Sequence, residues 1–149
     1  MPPTVRPAGR DDLLGVLRVL QRDPGLAPGS VTDRQTATWD RMMVADGLTV
    51  YVACAGAVVV GVVSLQTMPN LGYDCRPTAF LEAMVVAEPH RRGGVGRRLV
   101  ARVLADAAEA GCHKVQLLTH KRHATDGAHD FYRALGFTAE AEGFRLYLP

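Results

Sequence analysis

The sequence predicts an α/β domain with a mixed central sheet of about seven strands flanked by about four helices, in the order β-α-α-β-β-β-α-β-α-β-β. Three observations carry that prediction. Residues 48–54 and 57–68 alternate or run apolar on either side of Ala55-Gly56, which reads as an antiparallel hairpin. Residues 80–86 form a short β-branched and apolar run, followed after Pro89 by Val95, Leu99, Val100, Val103 and Leu104 at helical spacing. Further apolar runs at 113–120, 137–140 and 144–148, the last two around Glu142-Gly143, supply the remaining strands.

The other elements follow in chain order. Residues 4–8 stop at a proline and suit only an edge or opening strand. Asp11 and Asp12 are acidic first-turn residues for a helix with Leu13, Leu14, Leu17, Val19 and Leu20 on its apolar face. The breaker-rich loop 21–31 leads to Thr32 or Asp33 as the cap of a second helix reaching about Ala45, with Trp39, Met42 and Met43 buried. Another loop spans 69–77. The helix after Pro89 stops at Gly111, and a short helix over 128–135 ends at Gly136.

The 149 residues, 48% of them hydrophobic, suffice for one domain spanning 1–149 with its own core. A net charge of +2 is too mild for a general polyanion binder. The arginines at 91, 92, 97, 98 and 102 are clustered but not interleaved with aromatic residues, so no nucleic-acid partner is expected. Cys54, Cys75 and Cys112 are odd in number and lack ligand spacing, which argues against a disulfide framework and structural zinc and makes a reducing cytoplasm the expected location. His120, His123 and His129 have no carboxylate or cysteine at usable spacing, so no metal is expected. The longest apolar stretch, 50–63, falls short of the roughly 18 residues of a spanning helix, and no membrane association is expected.

Chemistry concentrates in residues 79–98. Arg91, Arg92, Gly93, Gly94, Val95, Gly96 and Arg97 stand where the apolar strand gives way to a helix. Free amides and the positive end of the helix dipole suit phosphate there, and glycine permits close approach to the main chain. The lysine and hydroxyl residue of a P-loop are missing, and the spacing is Arg91-x-x-Gly94-x-Gly96. This stretch resembles the pyrophosphate loop of the Gcn5-related N-acetyltransferase (GNAT) superfamily. Phe131-Tyr132 followed by Gly136-Phe137 is similar to that family's F-Y-x-x-x-G-F signature, in the family order.

The resemblance implies a GNAT-like fold and an acetyl-CoA-dependent N-acetyltransferase that moves an acetyl group directly to a primary amine. It implies acetyl-CoA contacts from the 91–97 turn and from the main chain of the central strand, often at a bulge, which puts Met84, Val85 and Val86 on the pantetheine arm and thioester carbonyl. The family often has asparagine where Thr125 stands, which leaves the Thr125 contact as a departure from the pattern. Glu82 interrupts the apolar strand; half-buried there, it would suit general base work, directly or through water, and its position resembles the glutamate of several family members. Its competing reading is a solvent-facing or salt-bridged strand residue. Tyr132 holds the tyrosine position of the signature and is the expected acid for the departing thiolate, the alternative being a core residue.

A small molecule or free amino group is the expected acceptor. A protein lysine or N-terminal acetyltransferase and a non-catalytic acyl-CoA sensor are the alternatives. Acceptor choice is expected in the loops 21–31, 69–77 and 138–143, and the sequence leaves a homodimer open.

Overall fold

The computed structural model describes all 149 residues. They fall into two compact units, Met1–Gln116 and Leu117–Pro149. The first unit is built on a sheet of five strands in sequence order: β1 (Thr4–Pro7), β2 (Leu48–Ala55), β3 (Val58–Met68), β4 (Thr78–Val86) and β5 (Lys114–Gln116). β1 to β4 are antiparallel neighbours; β5 lies parallel to β4. α1 (Leu13–Leu20) and α2 (Asp33–Val44) connect β1 to β2, a single turn α3 (Gly72–Cys75) precedes β4, and α4 (Val95–Glu109) makes the crossover between the parallel pair. No helix is long and apolar enough to cross a membrane.

Local chemistry explains the helix starts. Thr32 Oγ1 accepts from the Gln35 amide at 3.1 Å while Gln35 Oε1 accepts from the Thr32 amide at 2.9 Å, the reciprocal capping box that starts α2. α1 begins at Leu13, later than Asp11 and Asp12 suggest, because Arg10–Asp12 form a 3₁₀ turn. Its buried residues are Val16 and Val19, and Leu20 is exposed.

Core residues divide between the two faces of the sheet. On one, Val16, Val19 and Trp39 pack with Val50, Val52, Cys54 and Val62, joined by Met42, Met43 and Val85. On the other, α4 buries Val95, Leu99, Val100, Val103 and Ala107. Gly61 permits this approach, since a Cβ there would meet Leu99 Cδ1 at 3.0 Å and Val95 Cγ1 at 3.1 Å. A polar clasp completes it: the hydroxyl of buried Tyr51 donates to Asp106, whose carboxylate oxygens each accept from Arg102 Nε at 3.0 Å.

Burial, then the bond and charge of Asp106, push the Tyr51 phenol up to about 12. Its stabilising contribution is therefore complete below the ordinary phenol value of about 10 and is lost as pH climbs towards 12. Tyr51→Phe is expected to cost roughly 2 kcal/mol at neutral pH, as for a hydrogen bond to a charged group, lowering the urea midpoint with the slope unchanged. An unmoved midpoint would assign the clasp no net role.

The second unit holds a 3₁₀ segment, Lys121–Thr125, and α5 (Ala128–Ala134). No strand forms at 137–140 or 144–148, so the sheet has five strands rather than about seven, and five helices are present rather than about four. The alternating Phe144–Leu148 pattern satisfies only half of what a strand needs. Phe144, Leu146, Tyr147 and Leu148 stay exposed, and no ladder supplies the backbone partners. The strand expected over 113–120 shortens to Lys114–Gln116.

Candidate active site

β4 is regular from Thr78 to Glu82, where Ser64 on β3 opposes Glu82, and regular again where Val62 opposes Val85. Between those pairs two β4 residues, Ala83 and Met84, stand against one residue of β3, and Ala83 takes φ of 51°. This is a β-bulge with a non-glycine residue in the left-handed region, a conformation held by its surroundings against its own preference. On its other side β4 pairs with β5 only over Thr78–Phe80, so the edge from Leu81 onward has no strand partner. Main-chain polar groups on this edge of the bulged half have no strand partner, and Met84, Val85 and Val86 lie within that half, the Val86 carbonyl being taken by the Arg91 side chain.

Glu82 is exposed, not half-buried as the apolar strand suggests. The desolvation argument for its basicity is therefore replaced by one of access, since an exposed carboxylate can take a proton directly or through water.

From Val86 the chain passes through a 3₁₀ turn, Glu88–His90, into the glycine-arginine segment. Arg91 Nε donates to the Val86 carbonyl at 3.0 Å, tying the turn back to the strand. Arg92 takes φ of 59° and Gly94, the residue before α4, takes φ of 82°. The first α4 hydrogen bond across the junction runs from the Arg98 amide to the Gly94 carbonyl at 3.1 Å. The amides of Val95, Gly96 and Arg97 precede it and have no intrahelical acceptor. Arg92, Gly93, Arg97 and Arg98 are exposed around them. Free amides, the positive helix end and flanking guanidinium groups fit a pyrophosphate.

A Cβ at Gly94 would meet nothing within 4 Å, so the strain of a substitution there comes from φ. We expect Gly94→Val to weaken acetyl-CoA binding more than tenfold, because the β-branched residue disfavours the turn and narrows access to the amides. Calorimetric titration reads this directly; unchanged affinity would remove the turn from the binding site.

Tyr132 and Thr125 belong to the second unit. Thr125 is exposed at the end of the 3₁₀ segment, and Asp126 holds the start of α5, its Oδ1 accepting from the Ala128 amide at 3.0 Å. Tyr132 packs edge-on against Phe131 and Phe137, with ring centroids 5.2 and 5.8 Å away. Burial pushes its phenol above the ordinary value, which keeps the proton on the oxygen. His123 Nδ1 contacts Asp126, His120 Nδ1 accepts from the Arg122 amide, and the buried Nε2 of His129 has no partner. No three His, Cys, Asp or Glu side chains gather into a metal-binding group.

Sequence reasoning places Glu82, Met84–Val86 and the 91–97 turn on one continuous strand-turn-helix, and the structure brings these together. The resemblance anticipates a bulge on this strand but not its place at Ala83, for which an alanine gives no signal, and Ser64 opposite Glu82 is missed. A cleft of about 380 Å³ lies elsewhere, at the C-terminal end of α4, lined by Thr49, Tyr51, Thr67, Asp106 and Glu109 among others.

An open-edged, bulged strand running into a turn of free amides can hold an extended ligand that ends in phosphates. The chain belongs to the acetyltransferase (GNAT) family, whose model matches residues 14–137, and it is an N-acetyltransferase enzyme of that type. Members of this family use acetyl-CoA. The chain is 28% identical over 114 residues to an aminoglycoside N(6')-acetyltransferase type 1 of Salmonella typhimurium, covering 75% of this chain and 77% of that one. It is 30% identical over 90 residues to a glucosamine 6-phosphate N-acetyltransferase of Trypanosoma brucei brucei, covering 60% and 58%. The solved structure of a putative acetyltransferase from Agrobacterium tumefaciens superposes with a TM-score of 0.88 at 34% identity, over 97% of this chain and 99% of that one.

Proposed function

We propose that this protein transfers the acetyl group of acetyl-CoA directly to a primary amine of a small molecule. The observation that carries the reading is the bulged, open-edged half of β4 feeding the free amides of the Gly94 turn. The two curated relatives, whose names specify an aminoglycoside and an amino sugar phosphate, support a small amine as acceptor.

In this mechanism the turn holds the pyrophosphate through the amides of Val95, Gly96 and Arg97 and the Arg92 and Arg97 side chains. Main-chain groups of Met84, Val85 and Val86 fix the pantetheine arm and the thioester. A primary ammonium with an ordinary pKa of about 10.4 is free base in only about one molecule in a thousand or fewer at neutral pH. Glu82 takes that proton. The freed lone pair forms the N–C bond, the C–S bond breaks with its electrons on sulfur, Tyr132 protonates the thiolate, and the second nitrogen proton passes to water, from which the phenol is restored.

Direct transfer requires both substrates bound at once, so initial-rate kinetics are expected to show intersecting lines. Parallel lines with a trapped acetyl-enzyme would replace direct transfer by a covalent route. A panel of aminoglycosides, amino sugars, free amino acids and lysine peptides, followed by thiol release, separates small-amine from protein acceptors. Tight acetyl-CoA binding without turnover on any of them would favour the acyl-CoA sensor.

A further inference from the structure

Only two polar residues are buried in the core, Ser64 at 8% exposure and Thr78 at 4%. The Thr78 hydroxyl is accounted for by Asn70 Nδ2 at 3.2 Å and His113 Nε2 at 3.1 Å. Ser64 has no such side-chain partner. It interrupts the apolar run Val58–Leu65, and its oxygen is not among the buried side-chain atoms left without a partner, so the hydroxyl keeps access to solvent and is free to meet a partner from outside.

Register identifies where that partner would sit. Ser64 opposes Val50 on β2 and Glu82 on β4, and the pleat turns all three side chains to the α1–α2 face of the sheet. Directly opposed residues of an antiparallel pair have Cβ atoms about 4.5–5.5 Å apart. Ser64 and Glu82 are also the last regular pair before the Ala83 bulge. A hydroxyl and a carboxylate thus stand side by side at the edge of an apolar face, beside the strand's open half.

We propose that Ser64 is a second polar group of the acceptor site, an inference that rests on the reading of Glu82 as the base. Its hydroxyl oxygen accepts a hydrogen bond from the acceptor nitrogen while Glu82 receives the proton that the ammonium sheds. A primary ammonium carries three N–H bonds. Loss of one proton to Glu82 leaves two N–H groups and one lone pair. Holding one N–H on Ser64 fixes the direction of the lone pair, which becomes the N–C bond as the thioester C–S bond breaks. The electrons depart on sulfur, and the surplus proton of the nitrogen passes to water as the amide forms.

The test compares Ser64→Thr with Ser64→Val, which add the same volume and differ in the hydroxyl. Neamine and glucosamine 6-phosphate are the acceptor probes, and matched urea midpoints show that both variants fold. Ser64→Thr is expected to keep kcat/KM within about threefold of the wild type and Ser64→Val to lose about tenfold or more, with acetyl-CoA affinity equal in both. In a Glu82→Gln background the difference between the two variants should largely vanish, which a packing role would not produce.

Equal rates for the Thr and Val variants, or an undiminished difference in the Glu82→Gln background, overturn the inference. If neither variant folds, Ser64→Ala replaces the pair and wild-type kinetics in it overturn the inference alike. Failure of the parent reading looks different. Glu82→Gln then behaves as wild type, or the wild type binds acetyl-CoA and acetylates neither probe, and both readings fall together.

Discussion

Glu82→Gln is expected to lower kcat/KM at neutral pH by about 10²-fold, near the lower end of what general acid-base catalysis contributes. The substitution keeps the shape of the side chain and removes its ability to take a proton. Because Glu82 is exposed, stability should change by no more than about 0.5 kcal/mol, so the loss will not reflect unfolding. The pH profile carries the stronger evidence. Without a base, the reaction depends on acceptor molecules already deprotonated in solution, whose fraction grows tenfold per pH unit up to about 10.4. The variant's rate should therefore climb with a slope of one where the wild type has levelled off, and the two should converge at high pH. Parallel profiles with a constant gap would show that Glu82 binds or orients the acceptor without taking its proton.

The parts of this site that could be seen in the residues are those where local chemistry decides. Gly93, Gly94 and Gly96 between an apolar run and a helical stripe announce a turn with free amides, and Gly94 indeed carries a positive φ. Thr32 three residues before Gln35 likewise announces a capped helix. What escaped is decided by partners. The resemblance implies a bulge on this strand, but its place at Ala83 leaves no local signal, because an alanine at φ of 51° contradicts its own preference and is held by the pairing of β3 and β4 around it.

Of the two readings of Glu82, half-buried or solvent-facing, the structure has the second. Phe144–Leu148 has the alternation of a strand but no ladder, because a strand exists only where another supplies its hydrogen bonds. Ser64 is visible in the sequence as one hydroxyl in an apolar run. Its meaning comes only from its register with Glu82.

Tyr132→Phe removes one oxygen and conserves the packing against Phe131 and Phe137, so acetyl-CoA affinity should stay within a few-fold. The maximal rate should fall at least tenfold where thiolate protonation limits turnover. Burial sets the direction of a second effect. For the proposed acid, a phenol raised above its ordinary value of about 10 would give its proton to a thiolate whose thiol has about 8.5, so the transfer would run uphill and each further unit would add about 1.4 kcal/mol. Burial keeps the phenol protonated, and in the proposed mechanism its proton would move only as the C–S bond gives way.

In the wild type, the fall in maximal rate caused by loss of this proton should therefore begin above about pH 10 rather than at it. In Tyr132→Phe that high-pH limb should disappear, leaving a low rate that solvent protonation sustains. A variant with the wild-type rate at every pH would make Tyr132 a packing residue of the aromatic cluster and assign the proton to water.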